Sequence, residues 1–388
     1  MSSLVHLLRD NDLCFRLHVA RVGSSLTSSR SLEVLLAREE SESDALGVMV
    51  LKSFVLLFPW LLLASEPLLK ESEFIYNQGS YPSVHASTIA ETSTGLVAAW
   101  FGGTAEKNKD VGIWCSRRVG RKWTESREVA NGVQKDGTRY PTWNPVLFQP
   151  KKGPLLLFYK VGPSPREWWG ELKTSIDGGE NWSKARRLPQ GIYGPIKNKP
   201  FELSNGDLLC PTSFESNEQH GKWSIYFEKT SDYGQTWTRT PLLHDGLQIS
   251  AIQPSLLKMK DGSLRAIGRT RQGKVFKIDS TSDGETWGPI SLLELPNPNA
   301  GTDALTLTNG RHLIVYNHSS RGRSPLNVAI SEDGEHWEKL LELENEPGKE
   351  FSYPAVIQAS DGRIHITYTW QRKKIKHVVL DLGSLILD

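Results

Sequence analysis

The sequence predicts an all-β fold, a six-bladed β-propeller with Asp-box turns, and two repeated motifs support the propeller. The first motif places Ser or Thr, Asp, Gly and Trp at fixed spacing, as in SIDGGENW at 175–182 and TSDYGQTW at 230–237. Three weaker copies end at Trp123, Trp287 and Trp337. The five closing tryptophans lie 59, 55, 50 and 50 residues apart, a period typical of a repeat architecture.

The Asp-box is expected to be a structural turn and not a catalytic device. Its Asp accepts hydrogen bonds from nearby backbone amides, its Gly adopts a conformation that side chains resist, and its Trp packs between outer strands. Each weaker copy departs from this plan in one respect. Arg118 occupies the Asp position of the first copy, and the copies TSDGETW and SEDGEHW are each one residue short.

The second motif is a hairpin turn at glycine, repeated in phase with the Asp-boxes. It occurs at Thr94-Gly95, Lys152-Gly153, Asn205-Gly206, Asp261-Gly262, Asn309-Gly310 and Asp361-Gly362. Six hairpins predict six four-stranded blades, from about Phe74 to the C-terminus. The sixth unit has no Asp-box, so the stretch FIYNQGS before the first blade is expected to pair with the last blade and close the ring.

Composition limits the classes of function. A net charge of +2 argues against a nucleic-acid partner, which would require a strongly basic surface. Three cysteines are too few for a disulfide framework, and no His and Cys spacing suits a metal, so we expect neither metal nor cofactor. We expect two regions: an N-terminal leader at 1–70 and one propeller at 71–388.

The leader contains an apolar run, SFVLLFPWLLLA at 53–64, whose length suits the core of a signal peptide. Met49 lies just ahead of it and is a candidate start of such a signal. The predicted location is therefore secretory, extracellular or membrane-associated, with membrane contact only through 53–64. Several arginines among serines in the first 40 residues keep an organelle-targeting leader open as an alternative.

The residues that open the inner strands should surround the central axis, where propeller sites form. All six are polar: His85, Asn144, Asn198, Gln253, Asp303 and Tyr353. For any one of these residues alone, turn capping explains the polar side chain as well as a role in a pocket does. Six at the same phase and of nearly all different types favour a tailored pocket, because repetition for stability alone would reuse one residue.

Two arginines are expected to reach the same pocket. Arg269 ends the second strand of blade four, and Arg323 opens the third strand of blade five. Two converging guanidinium groups suit a carboxylate, since each supplies paired charge-assisted hydrogen bonds. Lys197 and Lys199 flank Asn198 in the sequence and are further candidate cations, with Lys197 expected to bind the substrate; Arg271 and Arg321 are expected to be solvated.

From about Tyr81 to Leu380 the chain resembles the sialidase superfamily, the exo-α-sialidases with BNR or Asp-box repeats. The resemblance rests on the order of the Asp-boxes and of AIGRTRQG, RSPLNVAIS and SYPAV. It implies that Arg269 and Arg323 bind a carboxylate and that Tyr353 is the nucleophile. It also implies an acid/base residue in the loop EKNKD at 106–110, with Asp110 as first choice and Glu106 as second.

The chain departs from that family at three points. The family's first arginine lies in an Arg-Ile-Pro motif. This chain has VHAS there, with Val84 or His85 at the position of the arginine. The glutamate that supports this arginine is missing from LVAAWFGG. The glutamate that would activate the tyrosine is also missing, because that stretch offers Ser250, Ala251 and Gln253. A phenol without a base is a poor nucleophile at neutral pH.

Three functions remain open at this point. The first is a sialidase-like glycoside hydrolase acting on an acidic sugar of a glycan, with Asp303 or His85 as the base. The second is a lyase that cleaves uronate-containing glycans by elimination, using Arg269 with Arg323, His85 and Tyr353. The third is a glycan-binding propeller without catalysis.

Overall fold

The computed structural model describes residues 68–217 and 221–383, and every regular element in them is a β-strand. The chain divides into two units, Met1–Ala64 and Ser65–Asp388, and all the described residues belong to the second. The apolar run at 53–64 and Met49 lie outside the described residues. Within the described part, no helix is long and apolar enough to cross a membrane.

The strands form six sheets, which are the six predicted blades. A first strand, β1 (Leu69–Phe74), precedes blade one. Blade one contains β2 (Ser83–Thr92), β3 (Gly95–Gly103), β4 (Gly112–Val119), β5 (Lys122–Trp123) and β6 (Arg127–Ala130). Blade two contains β7 (Thr142–Phe148), β8 (Leu155–Val161), β9 (Trp169–Ser175) and β10 (Arg186–Arg187). Blade three contains β11 (Phe201–Glu202), β12 (Leu208–Glu215), β13 (Trp223–Thr230) and β14 (Thr238–Arg239).

The remaining blades follow the same antiparallel order. Blade four contains β15 (Ala251–Lys258), β16 (Leu264–Thr270), β17 (Lys274–Ser280) and β18 (Ser291–Pro296). Blade five contains β19 (Asp303–Thr306), β20 (His312–Tyr316), β21 (Leu326–Ser331) and β22 (Glu338–Glu344). Blade six contains β23 (Phe351–Gln358), β24 (Ile364–Trp370) and β25 (Lys374–Leu380). Apolar clusters fill the spaces between neighbouring blades.

The strand β1 closes the ring. It pairs antiparallel with β25, with Phe74 opposite Lys376, and gives blade six its fourth strand in the order β1-β25-β24-β23. The expected closure by the chain before blade one is therefore present. The strand itself begins earlier than FIYNQGS, at Leu69, because only Phe74 of that stretch belongs to it.

The six hairpin glycines all lie where the sequence placed them. Each joins the first two strands of a blade and has a positive φ, from 83° at Gly362 to 120° at Gly95. Side chains resist this conformation, so glycine is favoured at each turn. The hairpin signal therefore fixed the number of blades correctly.

The Asp-boxes of blades two and three have the expected hydrogen bonds. The carboxylate of Asp177 accepts from Asn181 N at 2.9 Å, and that of Asp232 accepts from Gln235 N and Thr236 N at 2.9 and 2.8 Å. The pKa of Asp177 is held below its ordinary value, chiefly by the hydrogen bond from the Asn181 amide.

The weaker copies differ from their predicted form. The blade-four box is not one residue short: it begins at Ser280, whose hydroxyl accepts from Gly284 N at 3.0 Å, and Ser282 takes the place of the Asp by accepting from Thr286 N at 2.8 Å. The blade-five copy is one residue short, as expected, with Gly334 N bonded to Ser331.

The blade-one copy does not form an Asp-box. Its residues continue β4 into a tight turn and then β5. The guanidinium of Arg118, at the Asp position, pairs instead with Glu71 and Glu73 of β1. This arginine thus ties blade one to the strand that closes the ring.

The Asp-box tryptophans pack between neighbouring blades, whereas the sequence analysis expected them to pack between outer strands. Trp182 packs against an apolar cluster that includes Val97 and Cys115 of blade one, and Trp237 packs edge-on against Phe158 of blade two. Both tryptophans are half-buried. Each box therefore fastens its own blade to the blade before it.

Candidate active site

Four inner strands share a β-bulge at the same position near their start. The strand pairing skips between His85 and Thr88, and the same skip recurs in β7, β15 and β23. The bulges place four non-glycine residues at positive φ: Ala86 at 54°, Asn144 at 36°, Gln253 at 57° and Tyr353 at 52°. Such conformations cost about 1–3 kcal/mol each and turn the side chain away from its regular direction.

Three of the bulged residues line one cavity of about 770 Å³: Asn144, Gln253 and Tyr353. Arg269, near the end of β16, lines it as well. Of the six predicted ring residues, the other three, His85, Asn198 and Asp303, are buried but are not among the described residues that line this cavity. The ring therefore divides into three residues that face the cavity and three that support it.

Cations surround the ring of Tyr353. The guanidinium carbons of Arg269 and Arg323 lie 5.4 and 5.6 Å from its centroid, and Lys197 Nζ lies 5.7 Å from it. The structure thus brings the two predicted arginines to one tyrosine. Arg271 and Arg321 are exposed, as expected from the sequence.

His85 supports Tyr353 from behind. The two rings have centroids 4.1 Å apart, and His85 Nδ1 lies 3.1 Å from Thr369 Oγ1. Burial, and then the charge of Arg372, lowers the pKa of His85 well below its ordinary value. The imidazole is therefore neutral and a weak base, which argues against the predicted role of His85 as the general base.

Lys197 and Asn198 brace the bulged strands and do not face the cavity. Lys197 Nζ donates to Pro354 O at 2.7 Å and Thr302 O at 2.9 Å, and Asn198 Nδ2 donates to Gln253 O at 2.9 Å. Burial lowers the pKa of Lys197 to about 7. Both residues hold the backbone next to a site residue, in place of the expected direct contact with substrate.

Asp303 is a structural residue, contrary to its predicted role as a base. Its carboxylate accepts hydrogen bonds from Ser255 Oγ, Lys199 Nζ and Val356 N at 2.8 to 2.9 Å. Its partners in blades four and six lie two to three residues beyond Gln253 and Tyr353, so Asp303 sits further along the tunnel. With its oxygens occupied, it has no free acceptor for a substrate proton.

The loop 104–110 presents Glu106 to the cavity, and Asp110 does not line it. The Asp110 carboxylate accepts from Thr104 N at 2.7 Å and Thr104 Oγ1 at 2.8 Å, which ties the two ends of the loop together. Glu106 is the loop carboxylate that a substrate would meet. Asp110, the first choice for the acid/base residue, thus positions the loop that carries Glu106, the second choice.

Sequence reasoning missed Arg372 and Glu350. Arg372 follows β24 in a turn where it and Gln371 both have positive φ, and its carbonyl accepts from Val84 N at 2.9 Å. The charge of its side chain acts on His85 in the VHAS stretch, where the family that the sequence resembles has an arginine. Residues other than glycine that adopt a positive φ have no clear sequence signal. The direction of the Arg372 side chain could therefore not be predicted.

Aromatic residues form the blade-two side of the cavity. Trp143 and Trp168 pack edge-on with centroids 6.1 Å apart, and both line the cavity. Glu167, beside Trp168, and Glu215, at the end of β12, add carboxylates to the lining. The cavity therefore has an aromatic side and a cationic side.

The six-bladed ring with Asp-boxes, together with a tyrosine and arginines at its axis, defines a sialidase-like BNR-repeat propeller. The family model described as "BNR repeat-like domain" matches residues 94–366, and the chain belongs to this family. No curated protein matches the chain significantly in sequence.

Solved structures with the same fold include proteins named as sialidases. A protein of unknown function from Dyadobacter fermentans matches with a TM-score of 0.67 at 17% identity, covering 81% of this chain and 100% of that one. The Hadza microbial sialidase Hz136 matches with a TM-score of 0.69 at 14% identity, covering 81% and 69%. The intramolecular trans-sialidase from Ruminococcus gnavus, in complex with oseltamivir carboxylate, matches with a TM-score of 0.63 at 14% identity, covering 84% and 100%.

Proposed function

We propose that this propeller is a glycan-processing enzyme that binds a sugar through its carboxylate in the Tyr353 cavity. The observation that carries the proposal is a complementary pair of unsatisfied polar atoms. Arg269 is 6% exposed and Gln253 is 3% exposed, and neither Arg269 Nε nor Gln253 Oε1 has a hydrogen-bond partner among the described residues. Buried polar atoms without partners are costly, so a ligand that accepts from one and donates to the other after a small shift of the two side chains would remove that cost.

A sugar acid has both groups. Its carboxylate accepts from the arginines, and its hydroxyl groups donate to an amide oxygen. A carboxylate also offsets the charge of Arg269, and buried charges are normally paired. The Ruminococcus gnavus relative is named in complex with a carboxylate ligand, which supports the same class of ligand here.

The first candidate reaction is hydrolysis of a glycosidic bond. Arg269 and Arg323 hold the carboxylate, Tyr353 loses its proton to water in the cavity and attacks the anomeric carbon as a phenolate, and Glu106 protonates the leaving oxygen. The cations around Tyr353 stabilise the negative charge that develops on its oxygen as it reacts. Water then releases the sugar from Tyr353, with Glu106 as the base.

The second candidate reaction is elimination on a uronate. The contact between His85 and Tyr353 favours it, because these two groups lie together beside the arginines that would neutralise the substrate's carboxylate. Elimination requires such a neutralised substrate carboxylate, a base and an acid. The base need not be a glutamate or an aspartate. The low pKa of His85 limits its strength as that base, so we place hydrolysis first.

One experiment separates the candidates. The full-length protein is incubated with sialosides, glucuronides, galacturonides and matched neutral glycosides, and the products are followed by mass and by the ultraviolet absorbance of unsaturated uronates. Hydrolysis releases a sugar one water heavier than its residue mass, whereas elimination gives an unsaturated product. Binding of an acid without any product identifies a non-catalytic lectin-like propeller. Equal binding of acidic and neutral glycosides contradicts the proposal.

A further inference from the structure

A chain of four charged groups lies between the blade-one loop and blade five. Arg372 Nη1 donates to Glu106 Oε2 at 2.7 Å, and Arg372 Nε donates to Glu350 Oε1 at 2.7 Å. Arg323 Nη1 donates to the same Glu350 oxygen at 2.7 Å. Glu350 thus bridges both arginines, and Glu106 contacts Arg372 from the side of the cavity.

The two carboxylates are held with different strength. Glu350 accepts from both arginines and from Ser352 Oγ at 2.8 Å. Burial alone would raise the pKa of Glu350, but Arg323 and Arg372 outweigh it and lower the pKa below the ordinary value. Glu350 is therefore a fixed counter-ion within the chain of charges.

Glu106 is held by one contact. Its side chain is 38% exposed, and its ion pair with Arg372 is its one contact with a cation among the described residues. Isolated ion pairs at such exposure are weak because water screens them. Glu106 faces the cavity and stands between it and Arg372, which is not itself among the described lining residues. A ligand in the cavity therefore meets Glu106 before it reaches Arg372, whose side chain is 29% exposed.

The charges of this cluster do not cancel. Three arginines, Arg269, Arg323 and Arg372, adjoin Tyr353 and His85, and two carboxylates, Glu106 and Glu350, pair with two of them. Arg269 forms no ion pair with the described residues, and Lys197 is a further cation beside Tyr353, so the cluster has an excess of positive charge that a bound carboxylate offsets. If that carboxylate also takes the place of Glu106 on Arg372, the glutamate is freed within the cavity.

We propose that Arg372 is a carboxylate-binding residue of this site and that Glu106 is its internal counter-ion, which the substrate's carboxylate displaces. The inference rests on the proposed binding of an acidic sugar. It adds a competition between two carboxylates for one guanidinium. A neutral sugar of the same shape does not displace Glu106, so the loop discriminates acids from neutral sugars.

The competition predicts an unusual sign for one variant. Glu106→Gln removes the competing charge, so it strengthens the binding of an acid by about threefold or more, whereas a glutamate that hydrogen-bonded the substrate would give weaker binding when removed. Arg372→Gln weakens binding by about tenfold. In the Arg372→Gln background, Glu106→Gln has no further strengthening effect, because no guanidinium remains to compete for.

The experiment is titration calorimetry of the full-length protein with N-acetylneuraminate, glucuronate and galacturonate. Glu167→Gln is the matched control, since it removes the same charge from the lining of the same cavity. Its only ion-pair or hydrogen-bond partner among the described residues is Ser164, at 3.3 Å. We expect it to strengthen binding by less than about twofold, equally with and without Arg372. Arg372→Lys keeps the charge and retains part of the affinity, and melting curves verify that each variant is folded.

The outcomes separate the inference from the proposed function. Weaker binding of acids by Glu106→Gln, or unchanged binding by a folded Arg372→Gln, overturns the inference while the acid site stands. An equal effect of Glu106→Gln in both backgrounds overturns it too. Failure of all three acids to bind the wild type overturns the proposed function and the inference with it.

Discussion

Trp287 of blade four lies flat on Phe227 of blade three, with ring centroids 4.2 Å apart and an angle of 13° between the ring planes. Trp287 Nε1 donates to Gly284 O at 3.0 Å, so the turn fixes the ring against its neighbour. The contact joins two blades that have no shared sheet. This stacked pair therefore adds to the apolar cluster that fills the space between blades three and four.

We expect Trp287→Ala to reduce the free energy of unfolding by about 2–4 kcal/mol, because it removes a large half-buried ring and leaves a gap between blades. Urea denaturation measures this loss. The affinity of the folded variant for an acidic sugar should stay unchanged, since the pair lies outside the cavity lining. A loss of binding in the folded variant would contradict this separation.

A second prediction compares two arginines that lie two residues apart. Arg269→Ala should weaken the binding of an acidic sugar by at least about tenfold, because it removes a buried guanidinium from the cavity. Arg271 is exposed and stacks on Trp223 at 4.1 Å, so Arg271→Ala should have little effect. Calorimetry of both variants with the same acid tests this. Equal losses would place the carboxylate elsewhere.

A third prediction distinguishes the two carboxylates of the loop 104–110 by substrate. Glu106→Gln should lower kcat by about 10²–10⁴ on a natural glycoside, and much less on an aryl glycoside whose leaving group needs no proton. Asp110→Asn loosens the loop through Thr104, so it should slow both substrates alike. The ratio of kcat for the two substrates measures the difference. A ratio that changes with Asp110→Asn instead would return the acid role to Asp110.

A fourth prediction concerns the histidine pair beside β1. His365 Nδ1 lies 3.0 Å from His377 Nε2, and His377 Nδ1 lies 3.1 Å from Glu73 Oε1. Burial, and then the charge of His377, lowers the pKa of His365 from 6.5 to about 4. Because the unfolded chain takes up this proton more readily, the stabilising effect is complete above pH 6.5 and is lost as the pH falls through about 4.

The melting temperature measured across this range tests the prediction. His365→Gln cannot take up the proton, so its melting temperature should fall less steeply between pH 6.5 and 4 than that of the wild type. His336, which is exposed and pairs with Asp333, provides the control variant His336→Gln. Parallel curves for the wild type and His365→Gln would show that this pair does not set the acid sensitivity.

The parts of the fold that depend on local conformation could be predicted from the sequence. The hairpin glycines need only a positive φ, and the spacing of an Asp-box fixes its hydrogen bonds, so both signals act within a few residues. Ser282 was missed because a hydroxyl replaces the carboxylate at the same position and accepts the same amide hydrogen bond. The hydrogen-bond geometry of the Asp-box is therefore retained, although the residue type differs.

The site could be predicted only where strand position alone decides it. Arg269 and Tyr353 lie on regular blades, and their phase relative to the hairpins was enough. Asp303 was misplaced because blade five begins its inner strand late, with β19 of only four residues. Arg372 depends on contacts of its turn with Glu350 and Val84, which are distant in sequence and cannot be read from the residues around it.

The pairing of β1 with β25 has a consequence for synthesis on the ribosome. Glu73 and His377, which face each other across this seam, are 304 residues apart in the chain. The strand that completes the last blade is therefore among the first parts of the propeller to emerge, and its partner is among the last. During translation β1 has no partner strand, and the long loop that its pairing closes carries an entropic cost that makes this step slow. The nascent propeller remains an open arc until β25 leaves the exit tunnel.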